Sequence, residues 1–354
     1  MLGHRKFLGL ALAGAVVIVA GVCSALPPWS PGSASAGGGG QIIRVADKTA
    51  SLQFSTSTVG GNPHQNGSGW AKIINERSTR VRATVAASAG GPENMSLVAH
   101  KQASIGWAVA TEVGEAVRGV LPAGNDPVYR SLRPVFSYFF GGLHWVVPAE
   151  SRVRGPLDFK NSNLKVSIGQ PGSSSNAFNR RLLLSYGINL ERDIKMLELS
   201  PPNGIQRFKD GAIDAYMGFA SLPLGQILEM ATARKVRFIA HTGDGAKEFL
   251  AKIPGWKLGI LPRTLYPNVE NAEDIPIVTT YQVAMAHRDL DEGVVYEITR
   301  LLFENIGEFH KSYQLAKNVT LDDALTGITT PLHGGAYRYY REKGVKVPEH
   351  LMPR

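Results

Sequence analysis

Three consecutive serines, residues 173–175, are the strongest candidates for ligand chemistry. They lie between a predicted strand that ends at Gly169 and a predicted helix that begins near Asn176. Gly172 permits a tight backbone turn, and a serine hydroxyl at this position caps the helix. The N–H groups and the positive dipole end of a helix attract anions. The spacing therefore predicts a site for a carboxylate or a phosphate. The alternative is that the serines only cap their own helix.

A second polar turn occupies the equivalent place earlier in the chain. It contains Gly60, Gly61 and His64, and it joins a predicted strand over 51–56 to a predicted helix over 69–78. In α/β folds, ligands bind at the carboxyl ends of strands. The two turns therefore predict a cleft with one wall from each half of the molecule. The alternative is a surface loop that only reverses the chain.

Signatures of catalysis and of metal binding are absent from the sequence. It contains no G-x-S-x-G elbow, no G-x-x-x-x-G-K-[ST] loop and no G-x-G-x-x-G fingerprint. Its 9 histidines show neither H-x-x-x-H nor H-E-x-x-H spacing. Basic side chains form small, separated groups without interleaved aromatic residues. We therefore predict no enzyme activity, no metal, no cofactor and no nucleic-acid partner.

The elements that position the two turns alternate between strand and helix, which indicates an α/β protein. The 354 residues, 44% hydrophobic and 19% charged, suffice for about two domains and exclude dominant disorder. A net charge of +9 suits anions, nucleic acid or acidic lipids and selects none of them. We predict a first lobe over 46–146 plus 263–354 and a second lobe over 147–262. Predicted strands over 143–148 and 279–286 cross between the lobes.

The N-terminal segment has the order of an export signal. A basic region around Arg5 precedes an apolar run that ends at Val22, and small residues follow. We predict a signal peptide over 1–25, or an N-terminal anchor, then a flexible linker over 26–45. Lipidation at Cys23 is a further alternative. The body is expected to be periplasmic or extracytoplasmic. A single apolar run also excludes a multi-span transporter.

Several segments in order together resemble one family. They are Ser88–Asn94, Leu143–Val147, Leu164–Ser175, Asp210–Ala215, Val295–Thr299 and Pro331–Ala336. The chain resembles the TAXI-type substrate-binding proteins of tripartite ATP-independent periplasmic (TRAP) transporters, from about Ser51 to Gly344. Relatives bind glutamate, 2-oxoglutarate and related acids. Pro63 and His64 replace the paired tyrosines of the family, which predicts a different solute here.

The resemblance implies an α/β, two-lobed periplasmic-binding-protein fold with a hinge and an interlobe ligand cleft. It implies capture of a small, carboxylate-bearing solute, an organic acid or an amino acid, for the membrane subunits of a TRAP transporter. The predicted ligand contacts are Ser173, Ser174, Ser175 and Asn176 from the second lobe, Gly60, Gly61, His64 and Asn94 from the first lobe, and Trp107, Thr111 and Phe219 as walls.

Two alternative functions remain open at this point. A periplasmic sensor component would use the same closing module to present its ligand to a receptor. A serine hydrolase would use one of the serines at 173–175. The hydrolase alternative lacks an evident base, because His144, His241 and His333 lie in unrelated segments.

Overall fold

The structure, a computed structural model, describes residues 49–120, 126–223 and 225–353. The predicted signal peptide or anchor over 1–25, with Cys23, and the predicted linker over 26–45 lie outside these residues. Within the described ranges, no helix has both the length and the apolar character needed to cross a bilayer.

One mixed sheet of ten strands runs through the described part of the chain. Its strands are β1 (Ala50–Ser55), β2 (Val81–Ala86), β3 (Ile105–Val109), β4 (Leu132–Pro148), β5 (Leu164–Ser167), β6 (Ile194–Leu197), β7 (Ala215–Ser221), β8 (Val236–Phe238), β9 (Lys257–Leu261) and β10 (Ile275–His287).

In the described ranges, seven α-helices lie between strands along the chain and three follow the last strand. They are α1 (Asn62–Arg77), α2 (Gly91–Ala99), α3 (Ala110–Arg118), α4 (Ser174–Ser185), α5 (Pro201–Lys209), α6 (Gly225–Ala233), α7 (Gly243–Lys252), α8 (Glu292–Glu304), α9 (Ile306–Phe309) and α10 (Gly334–Glu342).

Two long antiparallel strands, β4 and β10, lie in the middle of the sheet. The strand order is β2-β1-β3-β10-β4-β7-β5-β6, with β8 paired to β4 and β9 paired to β10. On one side β1 pairs in parallel with β2 and β3, and on the other β5 pairs in parallel with β6 and β7. Each side is therefore a small α/β unit, and β4 and β10 belong to both.

The hydrophobic core divides along these two strands. In β4, Phe136 packs with Trp70 in the core of the first lobe, whereas Trp145 belongs to the core of the second lobe. In β10, Met285 lies in the first core and Val278 in the second. The mixed α/β, two-lobed fold class predicted from the sequence is confirmed. The core changes inside the strands, before residue 147 and after residue 263.

Two predicted helices have different limits in the structure. The helix expected over 69–78 begins earlier, at Asn62, because Pro63 lies in its first turn, where a missing N–H costs nothing. The sequence pattern also predicts one long amphipathic helix over 292–313, but α8 ends at Glu304. There Asn305 leaves helical geometry, and its Nδ2 donates to the carbonyl of Leu301 at 2.8 Å.

Candidate functional site

Helices α1, α2, α4 and α5 begin at one cavity. Each follows a parallel strand, so the cavity lies at the carboxyl ends of β1, β2, β5 and β6. The first turn of a helix has N–H groups without intrahelical partners and carries the positive end of the dipole. Because α5 begins with Pro201 and Pro202, it contributes its dipole but few N–H groups. The arrangement favours negative charge in the cavity.

The cavity is small and has walls from both lobes. Its volume is about 100 Å³, and a cavity of about 150 Å³ holds a benzene molecule. A small solute, or one end of a larger solute, therefore fits. The lining residues are Thr56, Ser57, Thr58, Gly61, Asn62, Pro63, Ala89, Gly90, Gly91, Trp107 and Gln282 on the first-lobe side, and Gly169, Gln170, Ser173, Ser174, Ser175, Pro201, Tyr216, Phe219 and Ala220 on the second-lobe side.

The wall of the cavity combines apolar and polar groups but has no charged side chain. Of the described residues that line it, none is Lys, Arg, His, Asp or Glu. A bound anion would consequently be held by N–H groups, hydroxyl groups and helix dipoles rather than by an ion pair. In the described ranges there is also no cluster of His, Cys, Asp and Glu suited to a metal ion.

The turn before α4 is held rigidly by its own side chains. Ser173 Oγ accepts a hydrogen bond from the N–H of Asn176 at 3.2 Å and donates to the carbonyl of Gln170 at 2.6 Å. Asn176 Nδ2 donates to the carbonyl of Gly169 at 3.0 Å. Gly169 has φ of 102°, a conformation that favours glycine. The predicted helix cap is therefore present at Ser173.

Ser174 and Ser175 have different partners. Ser174 Oγ lies 2.8 Å from Oε2 of Glu112 on α3, in the first lobe. Ser175 Oγ accepts from the N–H of Phe219 at 2.8 Å, so its own hydroxyl hydrogen can donate to a ligand. Both residues line the cavity. Of the three serines, Ser175 is therefore the best-placed hydroxyl donor.

A buried carboxyl group lies behind this wall. Glu112 is 2% exposed, and burial raises its pKa to about 7, against the opposing effects of the Ser174 hydroxyl and the N–H of Val109. Its Oε1 has no hydrogen-bond partner in the described protein. Sequence reasoning did not select Glu112, since a single Glu on a helix gives no signal of burial.

Trp107 forms the apolar part of the first-lobe wall. Its indole Nε1 donates to Oδ1 of Asn66 at 3.1 Å, and its ring packs edge-on against Phe54 at 5.5 Å. On the opposite side, the ring of Phe219 contacts that of Trp256 at 5.8 Å. These contacts fix both aromatic side chains before any ligand enters.

The lobes are in contact around the cavity. Near the cavity, hydrogen bonds between the lobes include those from Asn62 to Ser221, Gln170 to the carbonyl of Ala89, Ser174 to Glu112, Arg181 to Glu115, and Thr111 to the carbonyl of Pro254. The Arg181 guanidinium binds both oxygens of Glu115, at 3.0 and 2.8 Å. The two lobes are thus joined directly by side-chain hydrogen bonds in this structure.

Six of the residues predicted as ligand contacts line the cavity. They are Gly61, Trp107, Ser173, Ser174, Ser175 and Phe219. The structure therefore brings together the two polar turns that the sequence places far apart.

The other five predicted contacts do not line it. Gly60 is exposed, and His64 is half-buried in the first turns of α1. Thr111 donates to the carbonyl of Pro254 at 3.0 Å, and Asn176 holds the α4 turn. Asn94 is fully buried and connects strands β1 and β3 from behind. The side chains of Asn94, Thr111 and Asn176 thus have hydrogen-bond partners within the protein.

Several lining residues were not selected from the sequence. Gly90 and Gly91 begin α2, and the Gly-Gly-Pro segment before Glu93 was a usable signal for that helix start. Tyr216 and Gln282 lie within strands β7 and β10, and no local pattern marks them. Only the way the strands are ordered in the sheet brings these two residues to the cavity.

Comparison with solved structures identifies the fold. Periplasmic binding protein BugD matches with a TM-score of 0.52 and 13% identity, over 84% of this chain and 94% of that chain. The alkanesulfonate-binding protein SsuA from Xanthomonas axonopodis pv. citri, bound to MOPS, matches with a TM-score of 0.46 and 15% identity, over 87% and 98% of the two chains. A TRAP periplasmic solute-binding protein from Sulfitobacter sp. NAS-14.1 with bound β-D-galacturonate matches with a TM-score of 0.42 and 10% identity, over 85% of this chain and 88% of that chain.

The chain thus has the fold of a periplasmic solute-binding protein. A family model matches residues 54–344 and identifies the family. The chain belongs to the NMT1-like family.

Proposed function

We propose that this protein is an extracytoplasmic solute-binding protein that captures a small carboxylate-bearing anion between its lobes, without catalysis. The observation that carries the proposal is the convergence of four helix N-termini on an uncharged cavity. A cationic solute would meet the positive ends of these dipoles without a counter-charge on the wall. A carboxylate matches both the dipoles and the N–H donors.

Closure of the lobes explains how such a solute is selected. Ser174 and Ser175 belong to one lobe and Gly61 and Gly91 to the other, so only the closed state surrounds the ligand. A solute that fits poorly would leave buried N–H groups without partners, each at a cost of about 1–3 kcal/mol. Selectivity follows from these unpaired donors.

A thermal-shift and calorimetry panel tests the proposal. Formate, acetate, lactate and pyruvate are compared with acetamide and lactamide, which have similar shapes but no charge. A carboxylate at 100 times its dissociation constant should raise the free energy of unfolding by about 2.7 kcal/mol. The amides should have little effect. Equal stabilisation by acids and amides, or no stabilisation by any acid, would contradict the proposal.

We further propose, on the TAXI-type resemblance, that the membrane subunits of a TRAP transporter receive the solute. The sensor alternative uses the same closing module. Deleting the gene and measuring uptake of the solute found in the panel distinguishes the two. Loss of uptake supports transport, whereas normal uptake with loss of a transcriptional response supports a sensor.

A further inference from the structure

The carboxyl group of Glu112 is separated from the cavity by the side chain of Ser174. Its Oε2 lies 2.8 Å from Oγ of Ser174, which lines the wall. A Cβ atom at Gly91 would lie 2.5 Å from both of these oxygens. Glycine at 91 therefore keeps open the short path by which a first-lobe carboxyl reaches a second-lobe serine.

The surroundings of Glu112 suit a neutral carboxyl group. The N–H of Val109 donates to Oε2 at 3.2 Å, but Oε1 has no hydrogen-bond partner among the described residues. Two charged groups act on it in the described protein, Glu115 of its own helix and Arg181 of α4. They bind each other through two hydrogen bonds, so Arg181 offers Glu112 little compensation. Burial, which raises the pKa of Glu112 to about 7, dominates.

The protonation state of Glu112 sets the direction of the Ser174 hydrogen bond. An ionised Glu112 is only an acceptor, so the Ser174 hydroxyl must donate to it and turns its lone pairs elsewhere. A protonated Glu112 can donate to Ser174 Oγ instead. The Ser174 hydrogen is then available to the cavity, where it can bind an anion.

We propose that Glu112 is a positioning residue that takes up a proton when the cavity binds an anion, and that it thereby directs the Ser174 hydroxyl towards the ligand. This inference rests on the proposed function. Glu112 does not touch the ligand; it acts through Ser174. The protein would then bind one anion together with one proton. An ionised Glu112 would weaken anion binding in two ways: its charge repels the anion, and it accepts the hydrogen bond that the Ser174 hydroxyl could otherwise donate to the ligand.

The pH dependence of binding has a definite sign. Below about pH 7 Glu112 is already protonated, and the affinity for the anion should be nearly constant. Above that pH a proton must be taken up on binding, so the affinity should fall by up to tenfold per pH unit. A carboxylate ligand such as acetate stays ionised over this range and adds no proton of its own.

Calorimetry with acetate and lactate between about pH 6 and pH 9 tests the inference. Titrations in Tris and in triethanolamine, two cationic buffers whose ionisation enthalpies differ, count the protons taken up without adding a competing buffer anion. We expect close to one proton per anion at high pH, together with the fall in affinity. Binding without proton uptake, or an affinity that rises with pH, overturns the inference and leaves the proposed function intact. Failure of every carboxylate to bind counts against the proposed function itself.

Variants separate this role from a structural one. Glu112→Gln keeps a neutral hydrogen-bonding group beside Ser174, so its affinity should match the low-pH wild type and lose its pH dependence. Ser174→Ala should bind the anion more weakly and keep only that part of the pH dependence that the charge of Glu112 causes. Glu76→Gln removes a half-exposed carboxylate elsewhere and should behave as the wild type. A folded Glu112→Gln protein, verified by its melting curve, that binds no anion at any pH would overturn the inference.

Discussion

The two walls of the cavity are built in different ways. In the second lobe, α4 begins with the N-cap Ser173, whose side chain accepts from the N–H of Asn176. In the first lobe, α1 and α2 begin with the N-caps Gly61 and Gly90, and neither has a side-chain cap. A capped start satisfies one N–H in advance, whereas an uncapped start leaves its N–H groups for a ligand. The start of α4 in the second lobe is thus preformed, whereas the starts of α1 and α2 depend more on what they bind.

The two walls also differ in what holds them from behind. Asn94 makes four hydrogen bonds in the first lobe, to Ser55, Ser88 and the carbonyls of Thr56 and Trp107. The first-lobe helices α1 and α2 have no side-chain caps, and this buried amide instead holds β3 and the segment next to β1 in place. In the second lobe the corresponding amide, Asn176, binds the partly exposed carboxylate of Glu198. Arg180 binds the same carboxylate.

The largest expected effect is the loss of stability on removing the side chain of Asn94. Asn94→Ala leaves two buried carbonyls and two hydroxyls without their shared partner, so the free energy of unfolding should fall by about 3 kcal/mol or more. Asn176→Ala should lower the free energy of unfolding by only about 1 kcal/mol, because its partners Arg180 and Glu198 are partly exposed to solvent. Urea denaturation of both variants measures the difference. Equal losses of stability in the two variants would contradict the proposed difference between the lobes.

The second prediction concerns the absent side chain at Gly91. In Gly91→Ala the new methyl group meets Oγ of Ser174 and Oε2 of Glu112 at 2.5 Å, so closure should be obstructed. At about 1–3 kcal/mol for overpacking, the affinity for the anion should fall by roughly five- to 150-fold. Gly307→Ala is the control, because its added methyl group meets nothing within 4 Å apart from its chain neighbours and its own helix backbone. Calorimetry with the best carboxylate compares them, and unchanged affinity in Gly91→Ala would contradict closure at this point.

A smaller loss is expected at Ser175. Ser175→Ala removes the acceptor of the Phe219 N–H and the hydroxyl that can donate to the ligand. The affinity for the carboxylate should fall by about tenfold, the effect of roughly 1.4 kcal/mol. Stability should change less, and a melting curve measures it. An affinity equal to that of the wild type would place the ligand against the first-lobe wall only.

The smallest expected effect on binding is at Ser173, whose hydroxyl is fully engaged within the turn. Ser173→Ala removes the α4 cap and should lower the free energy of unfolding by about 1 kcal/mol. The affinity should change less than in Ser175→Ala. Ser173→Asp, which keeps a capping oxygen, should restore stability while its charge opposes the anion. A larger affinity loss in Ser173→Ala than in Ser175→Ala would reverse these two roles.

Local patterns were sufficient to predict the second-lobe wall. A strand, a glycine turn, consecutive serines and an amphipathic helix are adjacent in the chain, and the structure gives α4 its start at Ser174 with the cap at Ser173. The first-lobe wall was harder to predict. The pattern predicts that α1 begins near residue 69, whereas the structure begins it at Asn62. Asn94 and Thr111, predicted as ligand contacts, donate hydrogen bonds to carbonyl groups of the protein. A polar side chain in a turn gives no sign of which partner it will find.

The sequence by itself determined the alternation of strands and helices, the α/β class and the anion-favouring turn at 173–175. These properties depend on neighbouring residues, through periodicity, capping and backbone freedom. Only the tertiary structure decided that four helix starts share one cavity, that Gln282 and Tyr216 reach it, and that Glu112 lies behind Ser174. Those contacts join residues far apart in the chain, and they depend on strand order and on packing in the interior, where burial also changes the charge of a carboxyl group.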